Sequence, residues 1–132
     1  MIMNNKQTIY LSGPILGCPE NVYKEWRERV VLELSGYEFE FIDPTNIIYE
    51  KEADHADEVV QATTIGVSQS DIILAYIPFY SMGTSFEVFL GSLLKKQIII
   101  ACEVEYESAF IRKFADHIFY QLDDAIEFLK GK

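Results

Sequence analysis

The chain is short of the residues that staple or metallate small folds, with 2 cysteines and 2 histidines in 132 residues. Cys18 and Cys102 lie far apart with no CxxC pair, and His55 and His117 keep no metal-ligand spacing to them or to each other. The expectation is therefore free thiols in a reducing cytoplasm, with no disulfide and no metal. Positive charge is also scarce: 11 basic against 21 acidic residues give a net charge of −10. That balance works against a nucleic-acid backbone or an anionic membrane as the main partner and leaves a small molecule open. Long hydrophobic runs are missing, since the longest, Ile72 to Tyr80, falls far short of the roughly 20 residues that span a bilayer. The opening MIMNNKQ carries no apolar leader core, so a soluble cytoplasmic protein is expected. Neither GxGxxG nor GxxxxGK[ST] occurs, and nucleoside triphosphate or NAD chemistry has no motif to stand on.

What is present is regular alternation. A chain of this length fits one domain over residues 1–132 and buries roughly two thirds of its unfolded surface without help from cross-links. Short apolar, β-branched runs at Thr8–Leu11, Glu38–Ile42, Asp71–Ile77, Gln97–Ala101 and His117–Gln121 read as strands. Between them Glu20–Leu34, Asp54–Ser68, Thr84–Lys96 and Tyr106–Phe114 read as helices, with a closing helix Asp123–Lys130 capped by Asp123. Strict β-α alternation predicts an α/β protein: a single-domain, Rossmann-like (flavodoxin-like) five-stranded parallel sheet with helices on both faces. In that strand order ligands bind beyond the carboxyl ends of the strands, where the loops after strands one and three face each other. Those loops are Ser12–Pro19 and Pro78–Gly83. The irregular stretch Pro44–Ala53, with Tyr49 in it, reads as a loop or lid.

Glu87 is the only charged side chain between Asp71 and Lys95, and an ionised carboxylate in such an apolar setting needs a partner or a purpose. Thr84 and Glu87 match the capping-box spacing [ST]-x-x-E, which makes Glu87 a candidate helix cap. The same position at a helix start suits a nucleophile, because the helix dipole keeps a carboxylate ionised while its tip faces the crevice. A carboxylate nucleophile fits displacement at an anomeric sugar carbon, where it stabilises an oxocarbenium-like transition state. In the first loop, YLSGPILG, Gly13 and Gly17 allow a sharp turn and close backbone approach to a ligand, or simply a strand-to-helix turn. Tyr10, Tyr49, Phe79 and Tyr80 are packing residues or apolar surface for a base. Asp43 ends its strand at the ligand-bearing edge, while Asp71 stands at the opposite edge with a structural role. The acidic cluster Glu50, Glu52, Asp54, Asp57 and Glu58 reads as a solvated face.

Taken together, IYLSGP at Ile9–Pro14, DP at Asp43–Pro44, SDIILAYIP at Ser70–Pro78 and MGTSFEVFLG at Met82–Gly91 resemble the nucleoside 2-deoxyribosyltransferase family. That family includes a branch of 2'-deoxynucleoside 5'-monophosphate N-glycosidases. The resemblance implies Glu87 as the nucleophile that attacks C1' of the sugar, with Tyr10 positioning it. It implies a substrate site that includes Gly13, Pro14, Asp43, Phe79, Ser81 and Gly83, with Ser81 falling where the hydrolase branch places a phosphate-binding serine. It further implies a nucleoside or nucleotide as ligand, no metal or nucleotide cofactor, and a homodimer or larger homo-oligomer whose subunits complete each other's sites. Two positions depart from the family pattern. Thr63 stands where the family has the aspartate that handles the proton of the departing base, leaving Asp43, Glu58 or a neighbouring subunit as replacements. Pro14 and Leu16 stand where the hydrolase branch has a serine and an arginine, and no arginine is expected near either loop.

Overall fold

Strands buried on both faces are apolar at nearly every position, and that pattern sets the architecture. A computed structural model of the chain describes residues 6–47 and 50–132. Tyr49 lies outside the described residues. Five strands, β1 (Gln7–Ser12), β2 (Phe39–Ile42), β3 (Ile72–Ile77), β4 (Gln97–Cys102) and β5 (His117–Phe119), pair in parallel in the order β2-β1-β3-β4-β5. This is the flavodoxin-like order, with its switch point between β1 and β3. Five helices connect or follow them: α1 (Glu20–Glu33), α2 (Ala56–Ser68), α3 (Met82–Leu93), α4 (Ala109–Phe114) and α5 (Leu122–Lys130). Two single turns of 3₁₀ helix, Pro44–Asn46 and Glu52–His55, structure the stretch expected to be a loop. Among the described residues no helix is long and apolar enough to cross a membrane.

The period of two along each strand sorts the core into halves. Ile9, Leu11, Ile72, Leu74, Ile99 and Ala101 face α1 and α5, meeting Trp26, Val30, Ile126 and Leu129. Tyr10, Ile73, Ala75, Ile98 and Ile100 face the other way, against Val67, Val88 and Ile111 of α2, α3 and α4. On that second side α3 lies hard against the sheet, because a Cβ at Gly91 would come within 2.7 Å of the Ile73 side chain. A larger residue there would lift the helix, and with it Glu87 one turn earlier on the same face.

Several element ends differ from expectation for identifiable reasons. Helix α3 starts at Met82, not Thr84, because Ser81 supplies the cap. It stops at Leu93, not Lys96, because Lys95 adopts a left-handed φ of 61°. The amides of Lys95 and Lys96 then turn back onto the carbonyls of Ser92 and Gly91, a Schellman closure made without glycine. Helix α4 begins at Ala109, where the Ser108 hydroxyl accepts from the Phe110 amide. Strand β5 ends at Phe119, and α5 begins at Leu122 after Gln121, so Asp123 occupies the first turn and is not the cap.

Candidate active site

The last residues of β1 and the second turn of α3 meet at the switch point. Tyr10 and Ser12, two apart in β1, point to the same face. The Tyr10 hydroxyl donates to Glu87 Oε2, and Ser12 Oγ donates to Glu87 Oε1 at 2.7 Å. Each carboxylate oxygen thus receives a neutral hydroxyl, and the group is 7% exposed. Helix α2 approaches the Tyr10 ring closely enough that a Cβ at Gly66 would come within 2.8 Å of it, so glycine is what lets the ring lie flat beneath that helix. From α2 the Thr63 side chain is near enough to the Tyr10 hydroxyl to offset part of the rise in its pKa. Thr63 is thus placed on the α2 side of this cluster, and its hydroxyl cannot serve as an acid at neutral pH.

The capping-box expectation for Glu87 fails. Ser81 Oγ accepts from the Thr84 amide and donates to Thr84 Oγ1 at 2.8 Å, so the helix start is satisfied three residues earlier. Glu87 is the sixth residue of α3, beyond the first turn where the helix dipole acts most strongly. Its environment is set by other groups. Burial raises its pKa above the ordinary carboxylate range; the Tyr10 and Ser12 hydroxyls and the charge of Arg27 pull it back, while the charge of Glu52 pushes it up. Tyr10 is raised as well, first by burial and then by the charge of Glu87, so it stays a neutral donor through the physiological range.

Arg27 overturns the expectation that no arginine lies near the loops. It comes from α1, is 1% exposed, and donates from each of its three nitrogens to backbone. Its Nε donates to the Leu11 carbonyl (3.2 Å), Nη2 to the Gly13 carbonyl (3.1 Å) and Nη1 to the Tyr23 carbonyl (2.7 Å). Asp43 Oδ1 stands 3.7 Å from Nε. The guanidinium thereby brackets Ser12 between two anchored carbonyls. Its place in the charged segment KEWRER gave no hint of burial, and Ser12 read as the start of a loop; both needed the fold to be seen.

The remaining candidates separate into two groups. Asp43 ends β2 at the expected edge, but its Oδ1 accepts from the Thr45 amide (2.8 Å) and hydroxyl (2.6 Å), which together with Arg27 gives it a structural occupation. Glu58 is exposed on α2 beside His55. Glu52, placed in a solvated cluster on sequence grounds, is half-buried and is the acid whose charge bears on Glu87. Gly13 and Pro14 are buried in the first loop, Ser81 is the α3 cap, and Phe79 and Gly83 are exposed at the same edge. Tyr80 is a packing residue: its hydroxyl donates to the Tyr106 carbonyl and accepts from the Ser108 amide, both at 2.8 Å. Two open hollows of about 480 and 560 Å³ lie elsewhere on this edge, around Glu103 and Tyr120, and Glu87 lines neither.

No protein-family model matches the chain, and neither does any curated protein sequence. Solved structures do match over nearly the whole length. A 2-deoxyribosyltransferase from Bacillus psychrosaccharolyticus superposes with a TM-score of 0.71 at 18% identity, covering 90% of this chain and 90% of that one. The CMP N-glycosidase of Clostridium botulinum gives 0.64 at 18% identity over 94% and 99% of the two chains. A 2-deoxyribosyltransferase from Leishmania mexicana gives 0.63, again at 18% identity, over 93% and 96%. At this level of identity the likeness establishes a shared fold, the five-stranded parallel sheet with helices on both faces.

Proposed function

We propose that the protein is an enzyme that cleaves or transfers the N-glycosidic bond of a 2'-deoxynucleoside, with Glu87 as nucleophile. The observation that carries this is the buried Glu87 carboxylate at the switch point, held by the Tyr10 and Ser12 hydroxyls and, among the described residues, by no backbone amide. Hydroxyl partners fix the direction of the carboxylate while leaving it ionisable, as attack on a sugar carbon requires. In the reaction a Glu87 oxygen bonds C1' as the bond from C1' to the base nitrogen breaks, and the base leaves with a proton drawn from water, which the incoming acceptor returns in the second step. A second base nitrogen or water then displaces Glu87 from C1' and regenerates the carboxylate. The solved structures of the same fold named as 2-deoxyribosyltransferases and as a CMP N-glycosidase support this class of chemistry.

The test is to incubate the protein with deoxynucleosides and deoxynucleoside monophosphates, with and without a second base, and to compare it with Glu87→Gln. Base release or exchange is expected from the native protein, with a loss of at least about a thousandfold in the variant. Equal release by both would sink the assignment. Product distribution separates the second reading, a hydrolase of nucleoside 5'-monophosphates, which is favoured by the CMP-acting neighbour. Nucleotide binding that persists in both proteins without turnover would mark a third possibility, a binding protein whose proton handling was lost at Thr63.

The same reading includes a homo-oligomer. Met82, Phe86, Phe89 and Leu93 are exposed at spacings of four, three and four on α3, forming one apolar stripe beside the site. Phe110 of α4, 73% exposed, widens it. A second copy of this chain is the proposed cover, and Phe89→Glu is expected to halve the mass seen by light scattering. A monomeric native protein at micromolar concentration would contradict this.

A further inference from the structure

We propose that Arg27 is a positioning residue for Glu87, fixing the end of β1 that carries Ser12 and supplying the positive charge that keeps the buried carboxylate available. This rests on the reading of Glu87 as nucleophile, although its first test does not need substrate. The geometry is specific. A guanidinium presents its N–H groups in one rigid plane, and here Nε and Nη2 are divided between the carbonyls on either side of Ser12. With Leu11 and Gly13 anchored, the peptide between them has little freedom, and the Ser12 hydroxyl is held on the Glu87 side. Lysine, with a single nitrogen on a flexible stem, cannot reproduce that fork. A buried arginine bonded to neutral carbonyls, with its nearest carboxylate oxygen 3.7 Å from Nε, keeps its charge, and low polarity around it extends the reach of that charge.

Several charged or titratable groups share this field. Burial lowers the Arg27 pKa, and Asp43 at the end of β2, Glu87 in α3, Tyr10 in β1 and Cys18 in the first loop act against that without offsetting it. Around Glu87 itself stand Tyr10, Ser12, Arg27 and Glu52, from β1, α1 and the 3₁₀ turn before α2. Among those groups Arg27 is the cation. Each of its three nitrogens donates to a backbone carbonyl and the side chain is buried, so it is not offered here as a phosphate ligand.

The experiment measures the protonation midpoint of Glu87 directly, by carbon-13 NMR titration of glutamate-labelled protein, with the Glu87 signal assigned by its absence in Glu87→Gln. Arg27→Met is expected to move the midpoint upward, and the acid limb of kcat/KM should move with it. Arg27→Lys should leave the midpoint close to that of the native protein while lowering kcat at least about tenfold, because charge is kept and the fork is lost. Asp43→Asn, which removes the anion opposing Arg27, should move the midpoint downward, and it decides the matter if Arg27→Met does not fold. An unchanged midpoint in folded Arg27→Met, or an upward shift in Asp43→Asn, overturns the proposal. Absence of turnover in the native protein with the midpoints moving as stated would instead discard the glycosidic reading and leave the role of Arg27 standing.

Discussion

The two edges of the sheet treat their carboxylates differently. At the amino edge, Asp71 Oδ2 accepts from the Thr8 amide and Asp116 Oδ2 accepts from the Ile98 amide, each at 2.8 Å. These acids stand just ahead of β3 and β5 and complete the ladder where neighbouring strands begin. At the carboxyl edge Glu87 takes two side-chain hydroxyls and, among the described residues, no backbone amide. A backbone N–H that loses its partner leaves the strand end unsatisfied, so an acid bonded to one is held there by folding. A hydroxyl can turn to another partner, so an acid bonded to hydroxyls remains free to change its bonding during a reaction. The kind of donor, more than the extent of burial, separates the structural acids from the proposed nucleophile.

That contrast can be broken from either side. The largest effect expected is the loss of turnover in Glu87→Gln, with no matching loss from Asp116→Ala when both are assayed while folded. Next in size, Asp116→Ala should lower stability by about 1–2 kcal/mol in chemical denaturation, because the Ile98 amide loses its acceptor. A cost near zero would show that water replaces the carboxylate and that the edge acids are dispensable. The smallest effect concerns Glu87 and pH. Its pKa in the folded protein is raised above the unfolded value, chiefly by burial. The stability it contributes is therefore fully present below the ordinary glutamate value and is lost as pH rises through the raised one. Glu87→Gln should accordingly be at least as stable as the native protein at neutral pH, with the difference shrinking under acid conditions. A variant less stable at neutral pH would mean that the carboxylate supports the fold as well as the site.

Much of the fold was legible because the central strands are covered on both sides, so Ile72–Ile77 and Gln97–Cys102 announce themselves as unbroken apolar runs. Glu87 was legible for the complementary reason, as a lone charge in such surroundings. Of its two local readings the cap fails, because the [ST]-x-x-E spacing at Thr84 and Glu87 is real, yet Ser81 stands one turn earlier and caps the helix first. Arg27 and Ser12 were not legible. Burial of a cation depends on carbonyls brought from β1, some fifteen residues away in the chain, and no local pattern encodes that meeting. Glu52 was hidden among exposed acids for the same reason.

The Ser81 cap has a consequence for how the site tolerates change. An α-helix turns about 100° per residue, so the point at which α3 begins sets the compass bearing of every side chain along it. Glu87 lies five residues past Met82, and the Ser81 hydroxyl marks where that count starts. A helix re-threaded by a single residue would swing the carboxylate from the Tyr10 and Ser12 hydroxyls toward the apolar stripe, with every other contact of the sheet intact. Length changes in the loop from Pro78 to Ser81 should therefore be poorly tolerated compared with similar changes after Lys95, where the chain has already left the helix.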